Sequence, residues 1–409
     1  MKSQKNKIFN GYEIFMIAIL AIIQFTVILD FMVLSPLGAI LMPKLNISTA
    51  QFGFVVSAYA FSAGASGLLA AGFADQFDRK KFLLFFYVGF LVGTACCAMA
   101  NTYEFLLAAR IVTGIFGGVI GSVGFAIITD LFKFEVRGRV MGFVQMAFAA
   151  SQILGLPIGL YLANKFDWHA PFWLIVIFGL FLGIIIYLKM KPINSHLNKE
   201  VDHKAFQHLW NNVSKPIHLR AFLGTALLAT GGFMLMPFGS AFSINNLGLT
   251  MEQLPTVYFI TGLFSIVTGP LLGKFADRIG HIKLFLAGSI VTGILVYIYT
   301  NLGVSPIWLV IIINIIMFAG ITARMVSSSA LISAIPEPQD RGAFMSINSS
   351  IQQISGGIAS FVAGLIVFQK ADGYLENYPT LGWAVNASML VAFILIYWLA
   401  QHIKKSKVN

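Results

Sequence analysis

Charged residues divide this chain into long apolar runs. These cover residues 14–42, 51–73, 82–100, 105–132, 140–164, 171–188, 221–246, 253–273, 284–301, 306–335, 342–369 and 380–402. A helix needs roughly 20 apolar residues to cross the ~30 Å hydrocarbon layer of a bilayer, so the pattern predicts twelve membrane spans. The runs are continuous and do not alternate apolar with polar residues at every second position, which predicts helices and not barrel strands. The stretch 284–336 is too long for one crossing, and Asn301-Leu302-Gly303-Val304-Ser305-Pro306 supplies the turn that divides it.

Composition excludes the other classes. Of 409 residues, 58% are hydrophobic and 11% charged. A soluble domain carries about 25% charge, so neither a water-soluble globule nor a disordered chain fits. The net charge of +11 would suit a nucleic-acid partner if the basic residues were clustered. They are instead distributed by side. With the N-terminus in the cytoplasm, twenty-two Lys and Arg fall in segments on that side. Three (Lys44, Lys165 and Lys370) fall in loops on the other, and two lie within spans. That is the positive-inside rule, and it predicts both termini cytoplasmic. The expected partner is the lipid bilayer, with no nucleic acid.

Smaller features remove further options. Cys96 and Cys97 are adjacent within a span and read as packing residues, not a disulfide. The first apolar run is too long for a cleaved leader and is expected to remain as an anchor. No Gly-rich phosphate loop ending in Lys-Ser or Lys-Thr occurs, so ATP coupling within the chain is not expected. No metal and no cofactor are expected: His196, His203, His208 and His218 are not paired at i,i+4. A membrane-embedded enzyme would need clustered acids at a membrane face. The nearest approach, Asp75 with Asp78, has Asp277 with Gly280 as its repeat.

The chain repeats itself. Phe73-Ala74-Asp75 recurs as Phe275-Ala276-Asp277 at an offset of 202, and Arg137-Gly138 with Met141 recurs as Arg341-Gly342 with Met345 at 204. The predicted organisation is therefore a six-helix half over 1–188, a cytoplasmic linker over 189–219 and a second half over 220–409. In the linker, Phe206, Leu209, Trp210 and Val213 recur at helical spacing, which predicts an amphipathic helix on the inner membrane face. Duplicated halves of this kind commonly hold a binding site between them at mid-membrane.

Gly273-Lys274-Phe275-Ala276-Asp277-Arg278-Ile279-Gly280, with Lys283, resembles the G-x-L-A-D-R-x-G loop signature of the major facilitator superfamily. Ala71-Gly72-Phe73-Ala74-Asp75-Gln76-Phe77-Asp78-Arg79-Lys80 is a looser copy, with Ala71 and Asp78 in place of glycine. Leu106, Arg110, Thr113 and Gly114 resemble the L-x-x-x-R-x-x-q-G motif of the drug/proton antiporter branch. Gly155-Leu156-Pro157-Ile158-Gly159 is partly similar to its G-P-x-x-G-G motif. Asp167-Trp168-His169-Ala170-Pro171-Phe172 resembles the arabinose-efflux group. The resemblance implies an all-α fold of twelve helices in two pseudo-symmetric bundles, a bacterial inner membrane, and a monomer. It further implies efflux of a small organic solute in exchange for protons by alternating access. Uptake of a sugar or organic anion, by symport or facilitated diffusion, shares the same fold. The resemblance also places Asp75, Arg79, Asp277 and Arg278 in gating loops.

A charge at bilayer depth is expensive and is a functional candidate by default. Asp30, Arg110 and Arg324 qualify. Arg110 lies about six residues past Glu104, ~9 Å along a helix, at a depth where it can meet Asp30. Burial raises a carboxyl pKa and a nearby arginine lowers it, so an arginine that approaches and withdraws would load and release a proton. The alternative is a static pair that locks two helices. Thr26 precedes Asp30 by one turn. Asn314, Ile321, Arg324 and Ser328 fall on one face by helical spacing. Arg324 is a substrate contact or the partner of an inner carboxylate such as Asp130. Asn348, Gln352 and Ser355 form a polar stripe, expected to line a cavity or bond between helices. Gly114, Gly117, Gly121 and Gly124 form a small-residue stripe, expected to serve packing.

Overall fold

The structure, a computed structural model, describes residues 9–73, 76–194, 197, 213–337 and 341–406. Helix α1 (Gly11–Val33) is started by a reciprocal cap: Asn10 Oδ1 accepts from Glu13 N at 2.8 Å and Glu13 Oε2 accepts from Asn10 N at 2.8 Å. The first predicted span does not continue to residue 42. Pro36 has no N–H to donate and disfavours a helical residue before it, so the chain turns at 34–37 and forms a separate α2 (Gly38–Leu45). Helices α3 (Thr49–Phe73), α4 (Arg79–Ala98) and α5 (Tyr103–Leu131) follow. The fifth predicted span is α6 (Phe134–Ala150) and α7 (Leu156–Lys165), joined by a π-helical turn at Ser151–Gly155 that precedes Pro157. Helix α8 (Ala170–Lys189) ends the first half.

The second half repeats the breaks. Helix α9 (Pro216–Leu235) stops at a 3-10 turn around Pro237, 201 residues after Pro36, and is followed by α10 (Gly239–Asn245). Then come α11 (Leu254–Ile279), α12 (His281–Thr300), α13 (Ile307–Ser333), α14 (Arg341–Ile366) and α15 (Tyr378–Ser406). Between α14 and α15 a two-residue hairpin pairs Phe368 with Glu376 and Gln369 with Leu375, which the apolar run to 369 did not predict. Ten of the described helical stretches are long and apolar enough to cross a membrane. The other two crossings are α6–α7, interrupted by its π turn, and α14, which carries the polar stripe.

Packing follows the duplication. Helix α3 lies on α5, α5 on α4, α4 on α8, and α1 on α6 and α8. In the second half α11 lies on α13, α13 on α12, α12 on α15, and α9 on α14 and α15. Across the halves α3 packs along α14, and its counterpart α11 packs on α7 and the π turn. Close approach of α3 and α14 needs glycine. A Cβ at Gly53 would stand 2.8 Å from Ser360 O, and one at Gly364 would stand 2.8 Å from Thr49 O. The halves are tied at the end carrying Lys44 and Lys370. Thr49 Oγ1 donates to Val367 O at 2.6 Å, and Asn164 Nδ2 donates to Met251 O at 2.8 Å.

The linker expectation rests on Phe206, Leu209 and Trp210, which lie outside the described residues, as do His196, His203 and His208. His218 is buried on α9, its ring 4.8 Å from Phe344. Cys96 and Cys97 are free thiols.

Candidate functional site

Four helices bring polar side chains together inside the first half. Asp30 comes from α1, Tyr59 from α3, Thr94 from α4 and Arg110 from the second turn of α5. Asp30 and Arg110 are both 0% exposed. Arg110 Nη1 donates to Asp30 Oδ2 at 2.8 Å and lies 3.3 Å from Asp30 O. Depth counting along the spans had placed these two charges at one level, and the structure joins them. The pair is held by one nitrogen: among the described residues no group accepts from Arg110 Nε or Nη2. Instead the guanidinium carbon lies 4.5 Å from the centre of the Tyr59 ring, whose negative face attracts it.

The other carboxylate oxygen has its own donor. Thr94 Oγ1 is 3.1 Å from Asp30 Oδ1 and 3.0 Å from Phe90 O, one turn back along α4. Thr26, 1% exposed, donates its hydroxyl to Ile23 O at 2.7 Å, and among the described residues no side-chain hydrogen bond joins it to Asp30. Tyr59 and Thr94 escaped the sequence reading. An uncharged polar residue in mid-span carries no cost large enough to mark it, and only the fold shows which charge it faces.

The remaining candidates are placed as follows. Asn314 is half-buried and its Nδ2 donates to Val310 O at 2.8 Å. Asn348 Oδ1 accepts from Thr225 Oγ1 at 2.6 Å, so it bonds between α14 and α9. Gln352 is exposed and Ser355 half-buried. Arg324 is 5% exposed and turned to α12, with Gly288 beside its stem and the Phe285 ring centre 5.9 Å from its guanidinium. Among the described residues no group accepts from its Nε or Nη2. Asp130 is not its partner. That carboxylate accepts from Arg79 Nε at 2.8 Å within the first half. Ion pairing here follows helix adjacency, α4 against α5, which one-dimensional spacing does not encode.

The gating loops differ from expectation in detail. Asp75 lies outside the described residues. Helix α4 is capped by Asp78, whose Oδ1 accepts from Lys81 N at 3.0 Å. Arg79 is buried, and its N–H donates to Ile193 O at 3.0 Å, fastening the start of the linker to the first half. Asp277 and Arg278 are exposed near the end of α11, and among the described residues no side-chain hydrogen bond or ion pair reaches them. Gly280, at the end of the second signature, has φ +93°, a backbone conformation only glycine adopts freely, whereas Asp78 at the matching place has φ −56°.

The glycine stripe of α5 has two functions. Gly114 and Gly117 abut Tyr59. Gly121 and Gly124 face open space, a Cβ there meeting nothing nearer than Gln24 Oε1 or Leu20 Cδ2 at 4.0 Å. They line a hollow with Leu20, Gln24 and Val144. Among the described residues no group of three His, Cys, Asp or Glu side chains converges on a metal position.

A duplicated bundle of membrane-crossing helices around a sealed ion pair is the architecture of a membrane transporter. The Major Facilitator Superfamily model matches residues 20–219 and again 221–409, and the chain belongs to that family. An uncharacterised transporter of the family from Bacillus subtilis, YceJ, is 26% identical over 94% of this chain and 95% of its own length. A bicyclomycin resistance protein homolog of Haemophilus influenzae is 24% identical over 86% of this chain and 88% of its own. Among solved structures, a bacterial homolog of the human lysosomal transporter Spinster superposes with a TM-score of 0.73 at 15% identity, covering 98% of this chain and 97% of that one. The protein is thus a multi-pass membrane transporter of small molecules.

Proposed function

We propose that this transporter exports a small organic molecule in exchange for protons, with Asp30 as proton acceptor and Arg110 as the group that tunes it. The carrying observation is the Asp30–Arg110 contact at 2.8 Å, with both side chains 0% exposed. A buried ion pair is a poor stabiliser of a fold, because desolvating both charges offsets most of their attraction. Its retention in a membrane interior favours a role in which the carboxylate changes charge. Export, and not uptake, is supported by the likeness to the bicyclomycin resistance homolog.

The working cycle is alternating access between halves at 1–188 and 220–409, joined by the linker 189–219. With the basic segments in the cytoplasm of a bacterial inner membrane, the tied end carrying Lys44 and Lys370 faces outward, and this conformation is closed on that side. Thr26, Asn314, Asn348, Gln352 and Ser355 line the substrate path in this reading, and the hollow at Gln24, Gly121 and Gly124 has room for no more than about one water in this conformation. Arg324 would meet a substrate only between α12 and α13, and its placement favours a charge held inside the second bundle. Asp75, Arg79, Asp277 and Arg278 act at the inner gate. The unit is a monomer.

The test is transport in proteoliposomes under an imposed pH gradient, screened against lipophilic cations, organic anions and sugars. Asp30→Asn is expected to abolish pH-driven transport while substrate still binds. Unchanged pH-driven transport in that variant would remove Asp30 from the mechanism.

A further inference from the structure

Asp30 has one oxygen committed to Arg110. Its other oxygen faces Thr94, and the hydroxyl of Thr94 has a single proton with two acceptors in reach: Asp30 Oδ1 at 3.1 Å and Phe90 O at 3.0 Å. One proton cannot serve both at full strength. Thr94 is 0% exposed, so protein groups must meet its hydrogen-bonding needs.

We propose that Thr94 is a positioning residue for proton exchange, a two-way hydrogen-bond partner that lets Asp30 stay satisfied whether charged or neutral. This rests on the reading of Asp30 as proton acceptor. While Asp30 is a carboxylate, the Thr94 hydroxyl donates to Oδ1. When a proton arrives on Oδ1, the new O–H donates to Thr94 Oγ1, and the Thr94 proton turns to Phe90 O. No heavy atom moves and no buried donor is orphaned. A hydroxyl can make this exchange because it both donates and accepts; an ammonium or guanidinium only donates. Arg110 needs a partner once Asp30 is neutral, and the Tyr59 ring 4.5 Å away supplies one in either state.

The titratable groups facing Asp30 are Arg110 from α5, Tyr59 from α3 and Cys97 from α4. Among the described residues none of α6, α7 or α8, which also pack on α1, brings a charged side chain to it. Many other span hydroxyls turn back on their own helix, as Thr113 does to Ala109 O at 2.7 Å, while Ser151, Thr225, Ser360 and Ser388 reach an amide or carbonyl oxygen of a neighbouring helix. Among the described residues, Thr94 is the span hydroxyl that also reaches a carboxylate.

The experiment compares wild type, Thr94→Ser, Thr94→Val, Thr94→Ala and Asp30→Asn in proteoliposomes across a pH series. Thr94→Ser keeps the hydroxyl and is expected to retain the wild-type pH profile within about twofold in rate. Thr94→Val, nearly the same shape without the hydroxyl, is expected to lose about tenfold in pH-driven rate and to displace the pH midpoint by about half a unit or more, since one hydrogen bond to a charged group is at stake. Thr94→Ala carries the same expectation should the valine variant not fold. Wild-type profiles in the valine and alanine variants, with pH-driven transport abolished in Asp30→Asn, overturn the role of Thr94 and leave that of Asp30. Unchanged transport in Asp30→Asn overturns both.

Discussion

Phe31 of the first half and Phe233 of the second stand with ring centroids 5.7 Å apart. Phe31 also lies 5.1 Å from Tyr59, and the Arg110 guanidinium lies 4.5 Å from the centre of the Tyr59 ring. Three rings therefore run from the buried ion pair across the boundary between halves. In the proposed alternating-access cycle, movement of α9 would part Phe233 from Phe31 and loosen the packing of Phe31 on Tyr59. Substitution of Phe233 by Ala is expected to reduce pH-driven transport about tenfold while substrate binding is kept. A half-buried ring lost to Ala is also expected to cost about 2 kcal/mol of stability. Flux and equilibrium binding measured on one preparation separate the two effects, and wild-type flux refutes the link.

The close contact of α3 with α14 sets a second expectation. At Gly53 the neighbour is the backbone of Ser360, which cannot rotate aside. Gly53→Leu is expected to force the helices apart at the closed end, costing about 1–3 kcal/mol as overpacking does. Lower thermal stability in detergent, with faster labelling of a cysteine introduced at Thr49, is the measured outcome. A wild-type melting temperature would show that α3 and α14 separate without penalty.

The large pattern was legible in the sequence because a bilayer imposes it. A charge in lipid is expensive, so charge-free runs mark the spans, and depth counting brought Asp30 to Arg110. What escaped depends on neighbours in space. Pro36 and Pro157 lay inside apolar runs and broke their helices without a change in hydropathy. Spacing along the chain offers Asp130 to Arg324, whereas the adjacency of α4 and α5 gives it to Arg79. Tyr59 and Thr94 gained their meaning from the pair they touch.

Outside the membrane, Lys44 Nζ is 2.7 Å from Asp167 Oδ2, and His169 Nδ1 is 2.9 Å from Asp167 Oδ1. Burial alone would raise the Asp167 carboxyl, but the hydrogen bond and charge of Lys44, then His169, outweigh it and hold the carboxyl below its usual range. A folded-state value below the unfolded one adds stability above the unfolded pKa, and that stability fades as pH falls through the folded value. The pair is well exposed, so the gain is under about 1 kcal/mol. Asp167→Asn is expected to melt slightly earlier than wild type at pH 7. The two curves should converge below about pH 4, near the ordinary aspartate range. An equal difference at pH 3 and pH 7 would show that the charge is not the cause.

Arg324 presents the reverse problem. Its guanidinium is buried against Phe285, and among the described residues its Nε and Nη2 meet no acceptor. The ring provides part of what water would, and desolvation of the rest works against the fold. Methionine follows the same path along α12 without a charge. Arg324→Met is therefore expected to stabilise the protein by about 1–3 kcal/mol, as replacement of buried charges by apolar side chains often does. Transport of lipophilic cations should then be retained. Loss of transport for organic anions alone, with cation transport intact, would instead make Arg324 a substrate contact reached between α12 and α13. Thermal melting and paired flux measurements on the purified variant decide between the two.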